Sequence, residues 1–416
     1  LTAALLERVY RREYGRVVSV LVSRLGVQHL ELVEDAVQAA WASALSHWPR
    51  HGAPDNPTAW LFRAAHNHAL DRLRTDQRRA SLRQQLGDAA PEMVEAPNTP
   101  LAGELPDAQL AMLLVCCDPV LPLEGRRVLA LEILFGFRVR EIAEHLFASP
   151  TNVYKRLQRS KAKLRSQGRA FDSVSNADVA TRLPSALSVL HTLFSEGYAS
   201  LRADETVRAD ICDEAIRLTT LVAGHRCGDT PQTAALLALM HLHRARLSAR
   251  VDGVGGLLLL AEQDRSRWDA ARIAEGMRWL ARSAQGAQFS RYHAEAGIAA
   301  EHSRAPRFED TRWDRVVACY ALLERAEPSA LHRLGHAIAL AEWKGPEAGL
   351  AFLRDVAPPA WLEGSFPWFA VSADLHHRCG RHRDAQRLRA LALDAAPTAA
   401  TRELLARRLA AIDPEV

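Results

Sequence analysis

The chain has 416 residues, 48% of them hydrophobic and 25% charged, and carries a net charge of +4. That composition excludes a disordered or fibrous chain, and at roughly 100–200 residues per domain the length predicts two to four domains. No run of about 18 apolar residues marks a membrane helix, and the six cysteines form neither a CxxC pair nor a Cys/His set with zinc spacing.

The opening stretch, LTAALLERVYRREYGRV, repeats apolar residues at helical spacing and lacks the basic-then-apolar order of a signal peptide, so a cytoplasmic address is expected. Next, LVEDAVQAAWASALSHWP (Leu32 to Pro49) predicts a helix that buries Val37, Trp41 and Leu45 and exposes Glu34, Asp35 and Gln38. After the punctuation of His47 to Pro57, NPTAWLFRAAHNHALDRLRTDQRR (Asn56 to Arg79) predicts a second helix. Its apolar stripe is Trp60, Leu61, Ala64, Ala65, Ala69, Leu70 and Leu73, and Asn67, Asp71, Arg72 and Arg74 take polar positions. For Trp41, Trp48 and Trp60, core packing outweighs a stacking role, because large aromatics at helical spacing are mostly buried. Gly87 to Pro106 is acidic and rich in Pro, Gly and Ala, the composition of a flexible linker.

The sharpest local pattern is REIAEHLFASPTNVYKRLQRSKAKLR, Arg140 to Arg165. It predicts a helix with Ile142, Ala143 and Leu146 inward, ending near Phe147. A turn follows with Ser149 as N-cap and Pro150 at the first helical position. A second helix buries Val153 and Leu157 and displays Asn152, Tyr154, Lys155, Arg156, Arg159 and Lys163. This is a helix-turn-helix with a basic second helix, the element that enters the major groove. Thr151, Asn152, Lys155 and Arg156 are placed to read bases, and Arg159, Lys161, Lys163 and Arg165 to meet phosphates. Between Arg138 and Arg169 nine Lys/Arg face only two acidic residues, the footprint of a polyanion partner.

Taken together and in this order, these segments resemble the extracytoplasmic-function sigma factors, compact members of the sigma-seventy type. The pattern of Glu34, Asp35 and Gln38 looks like the helix that docks on the polymerase clamp helices. AWLFRAAHNHALDRLR looks like the segment that melts and reads the minus-ten element. That implies roles there for Arg63, His66, Asn67, Asp71, Arg72 and Arg74, with the loop His51 to Asn56 offering a pocket for an unstacked base. The region Cys116 to Arg165 looks like the domain that binds the minus-thirty-five element, implying roles for Thr151, Asn152, Tyr154, Lys155, Arg156, Arg159 and Lys163. The resemblance covers about the first 170 residues.

Beyond a second joint at Ser166 to Asp178 the chain reads as helical pairs. HTLFSEGYAS, VRADICDEAIRL and EQDRSRWDAARIAEG look like a helical extension fused to one subgroup of these factors. Gly380 to Pro397 resembles the second helix of a tetratricopeptide repeat, and Gly345 to Pro358 echoes it at close to the expected period. Within QDRSRWD, the residues Asp264, Arg265, Arg267, Trp268 and Asp269 are read either as a regulatory interdomain surface or as a buried ion-pair network stapling two helices.

The expected fold is all-α. Residues 1–80 form a sigma region-two-like domain, 81–105 an acidic linker, 106–170 a region-four-like helix-turn-helix domain, 180–290 a helical extension and 291–416 tetratricopeptide-like repeats. The expected function is transcription initiation with regulation in cis. The partners are core RNA polymerase (clamp helices and flap) and promoter DNA, with a regulatory protein or ligand at the C-terminal helical domain and no membrane. A stand-alone helix-turn-helix regulator with a sensing domain is the alternative. No cofactor, metal site or catalytic residue is expected: the chain lacks a phosphate loop, a nucleophile elbow and a zinc helix, and His191, Glu196 and Tyr198 have no spacing that fixes an acid–base set.

Overall fold

A computed structural model describes residues 3–84, 104–146, 148–166, 176–198, 208–252, 257–354, 362, 364–397 and 399–412. Among them the structure is all-α, with a single isolated β-bridge between Val251 and Leu257. Nearly the whole expected acidic linker lies outside the described residues. The chain forms two compact units: Leu1–Leu193 with Gly224–Gly228, and Phe194–Ala223 with Asp229–Val416.

In the first unit, α1 (Ala3–Leu25), α2 (Leu30–His51) and α3 (Pro57–Gln84) pack together. An aromatic chain runs through them: Tyr10 to Trp41 at 5.1 Å between centroids, Trp41 to Trp48 at 5.8 Å and Trp48 to Trp60 at 5.5 Å. Trp41 and Trp48 are buried, as core packing required. Leu45, expected inside, is 54% exposed. It falls one position off the stripe drawn by Val33, Val37, Trp41 and Trp48, where the 3.6-residue turn carries it outward.

The next helices, α4 (Glu104–Cys116), α5 (Leu123–Phe135), α6 (Val139–His145) and α7 (Pro150–Ser166), belong to the same unit. Helix α5 ends on Gly136, whose φ of 63° is the left-handed conformation that a glycine C-cap adopts most readily. Helix α1 lies directly on α5: a Cβ added at Gly15 would stand 1.9 Å from the Leu134 carbonyl oxygen. Only a glycine allows that backbone approach. Cys116 and Cys117 are buried, and burial pushes the Cys117 thiol up to about 12, so both behave as small apolar side chains.

The first part of α8 (Asn176–Tyr198) also belongs to this unit. Buried Arg182 donates to Asp118 at 2.7 Å and to the Leu114 carbonyl at 3.1 Å. Arg126 and Arg127 of α5 donate to Ser185 (2.5 Å) and Ser188 (3.2 Å) on the same helix.

The second unit holds α9 (Ala209–Gly224), α10 (Pro231–Ala245), α11 (Ala270–Ser283), α12 (Arg291–Arg304), α13 (Trp313–Ala326), α14 (Ala330–Lys344) and α15 (Pro346–Arg354). It ends with α16 (Phe366–Arg378), α17 (His382–Asp394) and α18 (Ala399–Arg408). Helix α10 is its hub: every residue from Thr233 to Met240 is buried. From α12 onward successive helices pack on their neighbours, around one apolar cluster at Leu334, Leu350 and Leu375 and another at Ala385, Ala392 and Leu409. No described helix is long and apolar enough to cross a membrane.

Candidate nucleic-acid and polymerase interface

The helix-turn-helix forms where the sequence places it. Ser149 caps α7 by accepting the Asn152 N–H at 3.3 Å, and Pro150 opens the helix. Ile142, Ala143, Val153, Leu157 and Leu164 are buried between the two helices and α5. The opposite face of α7 is open: Thr151, Asn152, Tyr154, Lys155, Arg159 and Lys163 are exposed. Tyr154, a large aromatic at 56% exposure, stands among the basic side chains. Arg156 is half-buried and pairs with Glu124 at 3.3 Å, so its charge is partly spent within the fold.

Lys161 departs from expectation. It is buried, with its ammonium 2.9 Å from both Glu34 oxygens and 2.7 Å from Glu132. It therefore offers nothing to a phosphate. Val153, Leu157, Ser160, Lys161 and Leu164 form the inward row of α7 over about three turns, and Lys161 lies on that row.

Glu34, expected to be exposed, is correspondingly buried. Burial lifts its carboxyl to about 7, against the pull of Lys161 and with a further push from Glu132. Lys161 is itself raised: burial lowers it, but Glu34 and Glu132 together outweigh that. Asp35 and Gln38 are exposed on the other side of α2. A second tie joins the same helices at the surface, Arg165 to Glu31 at 2.8 Å. Neither tie had a local signal; 127 residues separate Glu34 from Lys161.

On α3, capped by Asn56 accepting the Ala59 N–H at 3.0 Å, Arg63, Asn67, Asp71 and Arg74 are exposed along one face, and Arg72 is exposed away from it. His66 is not among them. It is buried beside Phe62, 5.9 Å between rings, and its pKa is lowered by burial and then by Arg24. As a neutral core imidazole it supports the helix and cannot line a strand's path. The loop 52–56 is largely exposed.

In the second unit, the five residues of the QDRSRWD stretch sit at a helix junction. Asp264 caps a short 3-10 turn, and Asp269 caps α11 by accepting from the Arg272 N–H. Arg265 donates to the carbonyls of His302 (2.5 Å) and Ala305 (2.6 Å), and Arg267 to that of Ser248 (2.7 Å). Trp268 is buried beneath the Arg265 guanidinium. The two arginines thus bond backbone carbonyls, which tie the end of α12 and the 248 turn to this stretch. Among the described residues no group of three or more His, Cys, Asp or Glu is placed to hold a metal ion.

Comparison with known proteins agrees with the fold of α1 to α3. Residues 9–79 match the family model Sigma-70 region 2, so the chain carries a domain of that class. Residues 182–284, beginning at the arginine that α8 inserts beside Asp118, match a family of unknown function (DUF6596). The chain belongs to one family with the uncharacterized protein R00370 of Rhizobium meliloti (strain 1021), 34% identical over 86% of this chain and 85% of the relative. It is also 28% identical to the ECF RNA polymerase sigma factor SigK of Mycobacterium sp. (strain KMS), over 38% of this chain and 77% of that protein. These similarities support a sigma factor of transcription initiation. No solved structure matches the chain.

Proposed function

We propose that the protein is a sigma factor that binds core RNA polymerase, directs it to promoters and is regulated in cis by its C-terminal helices. The observation carrying the first part is the region-two match over residues 9–79, followed in the chain by a helix-turn-helix with an open basic face. Asp35 and Gln38 meet the polymerase, joined by Glu34 once it is released from Lys161. Arg63, Asn67, Asp71, Arg72 and Arg74 serve the minus-ten element. Thr151, Asn152, Tyr154, Lys155, Arg156, Arg159 and Lys163 serve the minus-thirty-five element.

Regulation in cis draws support from the ties between α2 and α7. The two promoter elements lie about 25 base pairs apart, about 85 Å at about 3.4 Å per base pair. Two domains held together by the buried contact of Glu34 with Lys161 do not span that distance. Promoter engagement therefore requires this clasp to open. The buried Arg182–Asp118 pair and the serines of α8 grip the helix-turn-helix side of the clasp, so the helices that follow are connected to the element that must move. The tetratricopeptide-like reading of residues 291–416 fits the succession of neighbour-on-neighbour helices there.

Docking is tested by titrating labelled full-length protein with core polymerase. Charge reversal by Asp35→Lys, on an exposed position that carries no packing, is expected to weaken binding about tenfold or more. Wild-type affinity in that variant refutes the assignment of α2.

A further inference from the structure

In the second unit three half-buried arginine side chains lie near one another without a carboxylate partner among the described residues. Several other guanidinium groups of this unit are paired: Arg244 and Arg272 share Asp213 at 2.9 and 3.0 Å, and Arg291 holds Glu295 at 3.0 Å. Arg246, Arg250 and Arg265 differ. Among the described residues none of them has a carboxylate within ion-pair distance. The side chain of Arg246, just past the end of α10, makes no hydrogen bond among the described residues; its guanidinium carbon lies 5.5 Å from the centroid of Tyr198. Arg250 lies 3.8 Å from the same centroid and donates only to the Tyr198 carbonyl. Arg265 spends Nη1 on the two carbonyls at the end of α12.

What remains is a set of shielded polar atoms without partners. Arg246 Nε, Arg265 Nη2, Tyr198 Oη and His302 Nδ1 are all removed from solvent and lack a hydrogen-bond partner. Buried polar atoms are nearly always satisfied, and buried charges are paired. Four such atoms gathered in one cluster, Arg246 Nε among them, match what an absent acceptor would satisfy. Hydrogen bonds hold the two stretches side by side: the Asp269 N–H donates to the Ala245 carbonyl at 2.9 Å and Arg267 to the Ser248 carbonyl at 2.7 Å, which sets the Arg265 segment along Arg246. Burial lowers the pKa of Arg250 and of Arg265, and Arg246 lowers both further, against an upward pull from Tyr198 on Arg250 and from the more distant Glu309 and Asp310 on Arg265. His302 is driven down to about 3 by burial, then by Arg246 and Arg265.

We propose that this cluster, with Arg246 at its centre and Arg250, Arg265, Tyr198 and His302 around it, is a binding site for a small oxyanion of the phosphate class. The chemistry selects the ligand. Guanidinium and phenol groups are donors here, matched to an acceptor-only anion, and guanidinium forks fit the oxygens of a phosphate. Three positive charges favour a dianion over a single carboxylate. The faces of Tyr198 are taken by Arg250 and by His243, stacked at 4.7 Å, which leaves no ring for a nucleobase to stack on. This inference rests on the reading of the C-terminal helices as regulatory, but its readout is binding and does not depend on transcription.

The test uses the full chain, with isothermal titration and thermal unfolding at constant ionic strength, and two probes: inorganic phosphate and glycerol 3-phosphate. One saturable site and a rise in unfolding temperature are expected. A response to both probes identifies free phosphate as sufficient; a response to the ester alone points to a phosphorylated metabolite. Arg246→Met removes a charge that has no partner in the unliganded fold. It is expected to unfold at the same or a higher temperature without ligand and to bind at least about tenfold more weakly. Tyr198→Phe keeps the ring and is expected to lose part of the affinity, whereas Arg383→Gln, exposed on α17, keeps all of it. Absence of saturable binding to both probes, or unchanged affinity in Arg246→Met, overturns the proposal.

Discussion

Replacing Lys161 by alanine removes the cation shared by the buried carboxylate of Glu34 and the half-buried one of Glu132. The Lys161 ammonium lies 2.9 Å from Glu34 and 2.7 Å from Glu132, with side-chain exposures of 9% for Lys161, 9% for Glu34 and 21% for Glu132. Breaking such a cluster from one side costs about 3–5 kcal/mol, because the partners stay buried without compensation. The loss depends on pH in a fixed direction. The raised carboxyl of Glu34 means that the folded chain keeps a proton which the unfolded chain releases near 4.5, so that contribution is lost as pH rises through about 7. Lys161, also raised, contributes up to its ordinary 10.5 and loses that contribution only above it. Without the lysine, Glu34 is pushed up further and holds its proton to higher pH. The deficit in Lys161→Ala is therefore full at pH 8. At pH 5 it is smaller by at least about 1.4 kcal/mol, the equivalent of one pKa unit. Hydrogen exchange of the α2 and α7 amides measures it, because it reports each unit's own opening. Glu34→Gln combined with Lys161→Met is expected to recover most of the loss. A deficit below about 1 kcal/mol at pH 8, or an equal deficit at both pH values, refutes this account of the clasp.

Gly15→Ala places a methyl group 1.9 Å from the Leu134 carbonyl and is expected to cost more than about 2 kcal/mol, seen as a lowered unfolding temperature; a neutral result would mean that α1 does not rest on α5. Arg182→Ala strands buried Asp118 and is expected to speed exchange in the first turns of α8 by about 100-fold or more, corresponding to about 3 kcal/mol or more. Lys155→Ala and Arg159→Ala, on the open face of α7, are each expected to lower the slope of log affinity against log salt by about 0.9 in promoter-fragment binding. The double variant should lose about twice that.

The all-α class and the helix-turn-helix were legible in the sequence because both are local. Ser149, Pro150 and the inward row from Val153 to Leu164 follow from capping chemistry and a 3.6-residue period. The burial of Trp41 and Trp48 followed from the same periodicity. The errors share one cause, tertiary partnership. Glu34 and Lys161 each read as surface charges, and only the meeting of α2 with α7 buries them. His66 occupies a position that is polar by pattern, yet Phe62 and Arg24 close over it. The QDRSRWD stretch was rich in charge, and counting charges suggested ion pairs. Its arginines serve carbonyl groups at helix ends, which no composition reveals. The unanswered arginines of the second unit had no sequence signal, since 52 residues separate Tyr198 from Arg250.

The most direct test of the central claim is run-off transcription from fragmented genomic DNA with purified core polymerase, with and without the full-length protein. It should include the clasp-free variant carrying Glu34→Gln and Lys161→Met. Discrete transcripts that require the protein are expected, with a higher yield from the clasp-free variant. No transcripts from either protein, together with binding of duplex promoter DNA in the absence of polymerase, would contradict it and leave a stand-alone helix-turn-helix regulator.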